Sequence, residues 1–123
     1  MIFQKYGSIY IGKFANFLKE PSLVHGISTR KGGVSDVPFD SFNLGCCTGD
    51  SDTNVKTNRA RFLQSLNFHE SDIVQAVQIH GNHIAKVVSS GIYGATDAFI
   101  TQTPHLPLTL RVADCMPVFL FDS

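Results

Sequence analysis

A single stretch of the chain, residues 52–66, has the period of an amphipathic helix, and this constrains the fold more than any other feature. At 100° per residue, its apolar side chains share one stripe, formed by Val55, Phe62, Leu63 and Leu66. Asp52 is the predicted N-cap. Strands are predicted over residues 8–14, 24–29, 73–79, 84–88, 97–101, 106–113 and 118–121. One helix among these strands predicts an α+β fold with mixed β-sheets.

Length and charge narrow the class of protein. The 123 residues suit one domain, 1–123, because domains usually have about 100–200 residues. Ten basic residues balance ten acidic ones, which argues against nucleic acid or an anionic membrane as a partner. No apolar run approaches the roughly 20 residues of a membrane span, and the N-terminus lacks a signal peptide's apolar stretch. We therefore expect a soluble, cytoplasmic protein with no nucleic-acid or membrane partner.

The cysteines agree with a reducing compartment. There are three of them, and two are the neighbours Cys46 and Cys47, which rarely bond to each other because the geometry is strained. A disulfide scaffold is therefore not expected.

Basic residues occur at two places where an anion could bind. Arg30 and Lys31 precede a flexible Gly32-Gly33 turn whose backbone N–H groups could approach an anion, although an ordinary exposed turn is equally consistent. Arg59 falls near the middle of the apolar stripe of the helix. Its side chain must either reach solvent along its stem or meet an anion.

Two polar side chains are predicted to emerge together at the end of a strand. With a period of two, Gln78 and His80 share a face with Val74 and Ala76 at the end of the strand predicted over 73–79. Strand ends commonly carry sites, but a histidine there is more often a surface or core residue with no special role.

Cys115 lies between two predicted apolar strands. A buried cysteine is usually inert and behaves as a small hydrophobe. Asp114 nevertheless interrupts the apolar run, and Pro117 breaks the hydrogen bonding of a sheet. A kinked, polar point of this kind favours an exposed and oriented thiol.

Short motifs follow one another along most of the chain. They are His25-Gly26-Ile27-Ser28-Thr29-Arg30-Lys31-Gly32-Gly33-Val34-Ser35, Phe42-Asn43-Leu44-Gly45, Gly49-Asp50, Asn58-Arg59, Gln78-Ile79-His80-Gly81, Thr96-Asp97-Ala98 and Ala113-Asp114-Cys115-Met116-Pro117-Val118. In this order they strongly resemble the laccase-domain family, also called multicopper polyphenol oxidase or purine nucleoside phosphorylase family proteins. The resemblance covers about residues 24 to 122.

The resemblance implies a fold and a metal. The fold is a four-layer α/β/β/α arrangement of the cytotoxic-necrotizing-factor/YfiH-like type, expected here to be incomplete at its C-terminus. The metal is one Zn²⁺ held by His, Cys and His, of which the first two correspond to His80 and Cys115, the expected catalytic residues. Their Cα atoms should then lie within roughly 9 Å of each other. The third ligand belongs to a His-Ala-Gly-Trp-Arg-Gly motif that these 123 residues do not contain, so we expect a fragment of a longer domain.

The resemblance also implies substrates. Family members phosphorolyse adenosine, inosine, guanosine and methylthioadenosine and deaminate adenosine, so purine nucleosides and phosphate are the expected partners. Arg30, Lys31 and Arg59 could form the phosphate cradle. Asn43 and Gln78 could bind ribose or base through hydrogen bonds.

Other functions stay open at this point. A copper polyphenol oxidase (laccase) fits less well, because such oxidation needs several imidazole-rich copper centres and the five histidines are scattered. A cysteine hydrolase of peptidoglycan precursor editing would use Cys115 as nucleophile and His80 as base. The non-enzyme alternative is an inactive truncated domain. The open sheet of a fragment would favour a homo-oligomer or association with another chain.

Overall fold

In the computed structural model, which describes residues 1–123, the chain begins with an antiparallel hairpin. Strands β1 (Ile2–Tyr6) and β2 (Ile9–Lys13) are joined by a two-residue turn in which Gly7 has a φ of 58°. Turns of this length require positive φ, which glycine adopts without steric cost. A short strand β3 (Ile27–Ser28) pairs with the other edge of β2, giving the order β1-β2-β3. The strand predicted over 8–14 is thus confirmed, whereas β1 was not predicted.

A small apolar core lies on one side of this sheet. Alternation along β2 turns Ile9 and Ile11 inward, where they form a buried cluster with Phe42 from the loop before the helix. The half-buried side chains packed against this cluster are Tyr6, Leu44, Phe62 and Leu66. Two of these come from the helix region, so the predicted apolar stripe does face a core.

Helix α1 (Asp52–Ser65) confirms the helix predicted over 52–66, but its cap differs from the prediction. Ser51, not Asp52, is the N-cap, because its backbone is extended and its hydroxyl accepts a hydrogen bond from the N–H of Asn54. Asp52 occupies the first helical turn, where a negative charge interacts favourably with the helix dipole. The helix ends at Ser65 with Leu66 as its C-cap, and the next residue, Asn67, has a φ of 64°, which is typical of the residue that follows a helix C-cap.

A buried cation and a buried histidine lie at the end of β2. The ammonium of Lys13 donates a hydrogen bond to the carbonyl of His25, and the Nε2 atom of His25 accepts one from the N–H of Phe14 at 2.8 Å. The imidazole stacks on the ring of Phe14 and meets the ring of Phe17 edge-on. Burial of the imidazole, followed by the nearby charge of Lys13, lowers the pKa of His25.

Contacts divide the chain into two compact units, Met1–Ser71 and Asp72–Ser123. The second unit contains four short strands: β4 (Val74–Ala76), β5 (Ile84–Lys86), β6 (Gly91–Tyr93) and β7 (Ala98–Ile100). Strand β4 pairs with β6 and β5 pairs with β7, both in parallel. The predicted α+β fold is confirmed, with antiparallel pairing in the first sheet, parallel pairing in the other two and a single α-helix. No helix in the structure combines the length and the apolar character that crossing a membrane requires.

Several predicted strands are shorter than expected or do not form. The strand predicted over 73–79 ends at Ala76, and the prediction over 24–29 is reduced to β3. Residues 106–113 contribute only a bridge from Leu108 to Val74, and residues 118–121 form no strand. Apolar composition is not sufficient for a strand, because each strand also needs a neighbour for its N–H and C=O groups.

Candidate functional site

His80 lies in an exposed turn after β4 whose backbone is held by a carboxylate. Its φ is 56°, in the left-handed region that non-glycine residues rarely occupy. The Oδ1 atom of Asp97 accepts hydrogen bonds from the N–H groups of Ile79 at 3.0 Å and His80 at 2.7 Å. Its Oδ2 atom accepts one from Gly81 at 2.8 Å. One side chain thus fixes three consecutive peptide groups around His80.

This turn corrects the expected strand geometry. Because β4 ends at Ala76 and His80 is left-handed, the period-two alternation that placed Gln78 and His80 on the face of Val74 and Ala76 does not extend to His80. Asp97 belongs to the motif Thr96-Asp97-Ala98, to which the sequence analysis assigned no role. Only the turn shows what its carboxylate does.

The environment of Asp97 favours its ionised form. Partial desolvation raises the pKa of the Asp97 carboxyl, but hydrogen bonds from Gly81, His80 and Ile79 and the charge of the His80 imidazole lower it. The pKa therefore lies below its ordinary value, because a carboxylate that accepts several N–H groups is stabilised as an anion.

Gln78 links the segment before His80 to the segment before Cys115. Its Oε1 atom accepts a hydrogen bond from the backbone N–H of Arg111 at 3.1 Å. The guanidinium of Arg111 also donates to the carbonyl of Ala76 at 3.4 Å. The thiol of Cys115 is exposed and free. His80, Gln78 and Cys115 all belong to the second unit.

The donor set of this chain does not complete a metal centre. No group of three or more His, Cys, Asp or Glu side chains is placed to hold a metal ion. Four-coordinate zinc in enzymes usually has three protein ligands. The family resemblance implies His80 and Cys115 as two of these ligands.

Arg30 lies at the edge of a shallow cavity in the first unit. Its Nε donates a hydrogen bond to the carbonyl of Asp40 at 2.8 Å, and its Nη2 lies 3.3 Å from the Oδ2 atom of the same residue. The cavity has a volume of about 200 Å³, and its lining residues are Arg30, Pro38, Phe39, Asp40, Phe42 and Asn43. The structure therefore brings Arg30 and Asn43 together at one opening. Lys31 is exposed and forms no ion pair.

The turn after Lys31 is packed against the chain rather than open. The N–H groups of Gly32 and Gly33 both donate to the hydroxyl of Ser41, at 3.1 and 3.2 Å. A Cβ at Gly32 would lie 1.9 Å from the carbonyl oxygen of Ser8, so only glycine allows this close approach. Contrary to expectation, these two N–H groups are committed to Ser41 and are not open to an anion.

Asn58, on the buried face of α1, organises the loop that carries the cavity. Its side chain is fully buried. Its Oδ1 accepts a hydrogen bond from the N–H of Val34, and its Nδ2 donates to the hydroxyl of Ser35 and to the carbonyls of Ser41 and Asn43. A single side chain therefore forms hydrogen bonds with four residues of the loop.

Asp50 extends this network at the other end of the loop. Its Oδ2 accepts hydrogen bonds from the hydroxyl of Ser35 at 2.6 Å and from the amide of Asn43 at 3.0 Å. These bonds, that of Ser35 above all, lower the pKa of Asp50. Asn43 also donates to Thr48 and accepts from the N–H of Gly45, so both its donor hydrogens are used within the loop.

Arg59 meets an anion from its own chain. Its Nη1 lies 3.5 Å from the Oε1 atom of Glu70, which belongs to the 3₁₀ turn Glu70–Asp72, and its side chain is only 21% exposed. The sequence required either solvent or an anion for an arginine in the apolar stripe. In the structure this anion is the carboxylate of Glu70.

Comparison with known proteins places these features in a family. The family model for multi-copper polyphenol oxidoreductase laccase matches residues 24–123. The chain belongs to this family. The match covers both the loop organised by Asn58 and the turn held by Asp97.

The curated relatives are considerably longer than this chain. A purine nucleoside phosphorylase of Mycobacterium tuberculosis (strain ATCC 25618 / H37Rv) is 39% identical over 98 residues, which are 78% of this chain and 39% of the relative. The purine nucleoside phosphorylase YlmD of Bacillus subtilis (strain 168) is 33% identical over 110 residues, 81% of this chain and 40% of that protein. The chain therefore spans about two fifths of the length of these relatives.

Solved structures share the fold. A crystal structure of the Bacillus licheniformis hypothetical protein YfiH aligns with a TM-score of 0.68 and 26% identity, covering 86% of this chain and 43% of that one. YlmD from Geobacillus stearothermophilus aligns with a TM-score of 0.58 and 35% identity, covering 71% of this chain and 32% of that one.

Proposed function

We propose that this chain is part of a laccase-like domain that acts as a purine nucleoside phosphorylase, with His80 and Cys115 as its catalytic residues. The observation that carries the proposal is the 33–39% identity to relatives that bear this name, over most of the chain. The structure supports it through the hydrogen bond between Gln78 and Arg111, because this bond joins the segments that lead to His80 and to Cys115.

The proposed substrates are adenosine, inosine, guanosine and methylthioadenosine with phosphate, and adenosine deamination is proposed as a second activity. We propose zinc as the metal, with His80 and Cys115 as two ligands. Because no third ligand joins them here, the third is proposed to come from a histidine outside these residues. The expected distance between the Cα atoms of the two residues stays a prediction.

Arg30, Lys31 and Arg59 are the proposed phosphate-binding cations. Arg30 and Arg59 already face carboxylates, so phosphate must compete with Asp40 and Glu70 for their guanidinium groups. Arginine suits this exchange, since its planar fork binds carboxylate and phosphate in the same way. Lys31 forms no ion pair, so its positive charge is not offset by a carboxylate and is available to phosphate.

Gln78 and Asn43 are proposed to bind ribose or base, and their present hydrogen bonds make them unequal. Gln78 uses its Oε1 atom to accept from Arg111, which leaves its NH₂ group able to donate to a substrate. Asn43 already donates both its hydrogens within the loop. Of the two, Gln78 is therefore the better substrate ligand.

The test uses a chimaera in which residues 1–123 are joined to the remainder of the Bacillus subtilis relative. Adenosine and phosphate are supplied, and chromatography separates adenine (phosphorolysis) from inosine (deamination). We expect activity that a chelator abolishes and that His80→Ala and Cys115→Ser each reduce at least about a hundredfold. Cys47→Ser, which alters another exposed free thiol, is the matched control and should leave the rate unchanged. Full activity in Cys115→Ser would refute the proposed site.

A cysteine hydrolase remains the second candidate because the thiol of Cys115 is exposed and free. In that case Cys115 would attack the substrate and His80 would act as base. One equivalent of zinc bound in the active chimaera and lost in Cys115→Ser would exclude this alternative, since a thiolate held by zinc is not free to attack. All three cysteines are exposed and none is in a disulfide, which suits the reducing cytoplasm that we propose as the location.

A further inference from the structure

The turn at His80 forms a concave surface that a carboxylate fills. Consecutive peptide N–H groups point to one centre only when the backbone curls around it, as the left-handed conformation of His80 allows. Here the N–H groups of Ile79, His80 and Gly81 converge on the two oxygens of Asp97. We call these three hydrogen bonds to Asp97 the anchor of the turn. Hydrogen bonds to an ionised acceptor are stronger than those between neutral groups, so the anchor outweighs the conformational energy that a left-handed histidine costs.

We propose that Asp97 is the positioning residue of the His80 site, fixing the backbone from which the imidazole projects. The assignment of a role to His80 itself rests on the proposed function, whereas the anchor rests on the hydrogen bonds alone. Without the carboxylate, three N–H groups would lose their common acceptor. The hydrogen bonds that stabilise the left-handed backbone of His80 would then be gone.

Asp97 is itself held in place from both sides. The residue before it, Thr96, is almost fully buried, and its N–H donates to the carbonyl of Val77. The N–H of Asp97 donates to the carbonyl of His83 at 3.1 Å, and strand β7 begins at the next residue. The anchor is therefore built on a parallel strand pair, which can transmit a fixed position to the exposed turn.

The division of the three bonds between two oxygens gives a specific test. In Asp97→Asn, one oxygen can still accept from Ile79 and His80, but an NH₂ group then faces the N–H of Gly81. In Asp97→Ala both acceptor oxygens are lost, and with them all three hydrogen bonds. Amide hydrogen exchange by NMR on the 123-residue chain measures each N–H separately. Asp122→Asn, which makes the same change at an exposed carboxylate of the same unit, is the matched control.

We expect Asp97→Ala to accelerate exchange of the three amides by about tenfold or more. Asp97→Asn should accelerate Gly81 most, and Asp122→Asn should change none of them. The scalar coupling between HN and Hα of His80, which reports φ, should change most in Asp97→Ala, less in Asp97→Asn and not at all in Asp122→Asn. If Asp97→Ala fails to fold, the selective effect in Asp97→Asn decides the question. Unchanged exchange and coupling at residues 79–81 in the folded variants would overturn the proposal.

A second readout separates this inference from the proposed function. In the active chimaera, Asp97→Asn should lower kcat while leaving the thermal unfolding midpoint close to that of Asp122→Asn, since a misdirected imidazole impairs the chemical step rather than stability. An unchanged kcat together with accelerated exchange would overturn the positioning role. If the unsubstituted chimaera has no phosphorylase activity, the proposed function fails, and the exchange pattern still decides whether Asp97 fixes the turn.

Discussion

Replacing Asn58 by alanine tests whether one buried side chain determines the shape of the loop that carries Arg30 and Asn43. Asn58 is fully buried in α1 and makes four hydrogen bonds to the loop, to Val34, Ser35 and the carbonyls of Ser41 and Asn43. Alanine removes all four bonds. The N–H of Val34 and the carbonyl of Asn43 then lose their partner, whereas the hydroxyl of Ser35 still donates to Asp50 and the carbonyl of Ser41 still accepts from the N–H of Ser35. Between β3 and α1 the loop contains no helix or strand, so no regular backbone hydrogen-bond ladder takes the place of the bonds that are lost.

The expected loss of stability follows from these bonds. Each buried hydrogen bond contributes about 1 kcal/mol net, and a buried partner left unsatisfied costs about 1–3 kcal/mol. Alanine has a higher helix propensity than asparagine, which returns at most about 0.7 kcal/mol. We therefore expect the free energy of unfolding to fall by about 3 kcal/mol, a large part of the roughly 5–15 kcal/mol of a typical domain.

Urea unfolding measures this loss through two signals. Circular dichroism reports the helix, and tyrosine fluorescence reports the environments of Tyr6, Tyr10 and Tyr93, since the chain has no tryptophan. Lys56→Ala, an exposed change in the same helix, is the control and should alter the free energy of unfolding by less than about 0.5 kcal/mol. A loss in Asn58→Ala no larger than that of Lys56→Ala would refute the reasoning.

Three further predictions follow from single residues. Burial lowers the pKa of His25 below its ordinary 6.5, so as the pH falls the unfolded state binds a proton before the folded state does. The contribution of neutral His25 to the free energy of unfolding should therefore be fully present above pH 6.5 and decline below it. Urea titrations at several pH values measure this decline, which His25→Gln should flatten. Gly33→Ala should lower the free energy of unfolding by at least about 2 kcal/mol in the same assay, since the new Cβ would lie 2.0 Å from the carbonyl oxygen of Ser41. A Cβ at Gly94 would meet no atom within 4 Å, so the control Gly94→Ala should be nearly neutral. Arg30→Ala should lower the free energy of unfolding by less than about 1 kcal/mol, because the ion pair of Arg30 with Asp40 is exposed. A larger loss would contradict this and show that the hydrogen bond from Arg30 to the carbonyl of Asp40 contributes more to stability than the ion pair does.

The strand predictions succeeded where a strand has neighbours and failed where it has few. Residues 8–14 were predicted well because β2 is paired on both sides and alternates between core and surface. Residues 106–113 have similar apolar character but find a partner for only one bridge, at Leu108. The four-layer arrangement that the family resemblance implies stays a prediction.

The sequence by itself determined the helix, the composition of the strands, the family and the need of Arg59 for solvent or an anion. These properties depend on residues close together in the chain or on the order of motifs. Tertiary structure alone decided that Glu70 is the anion for Arg59 and that Asp97 holds the turn at His80. Helix periodicity arises within each turn of the chain, whereas an ion pair or a shared carboxylate forms between residues that only folding brings within hydrogen-bond distance.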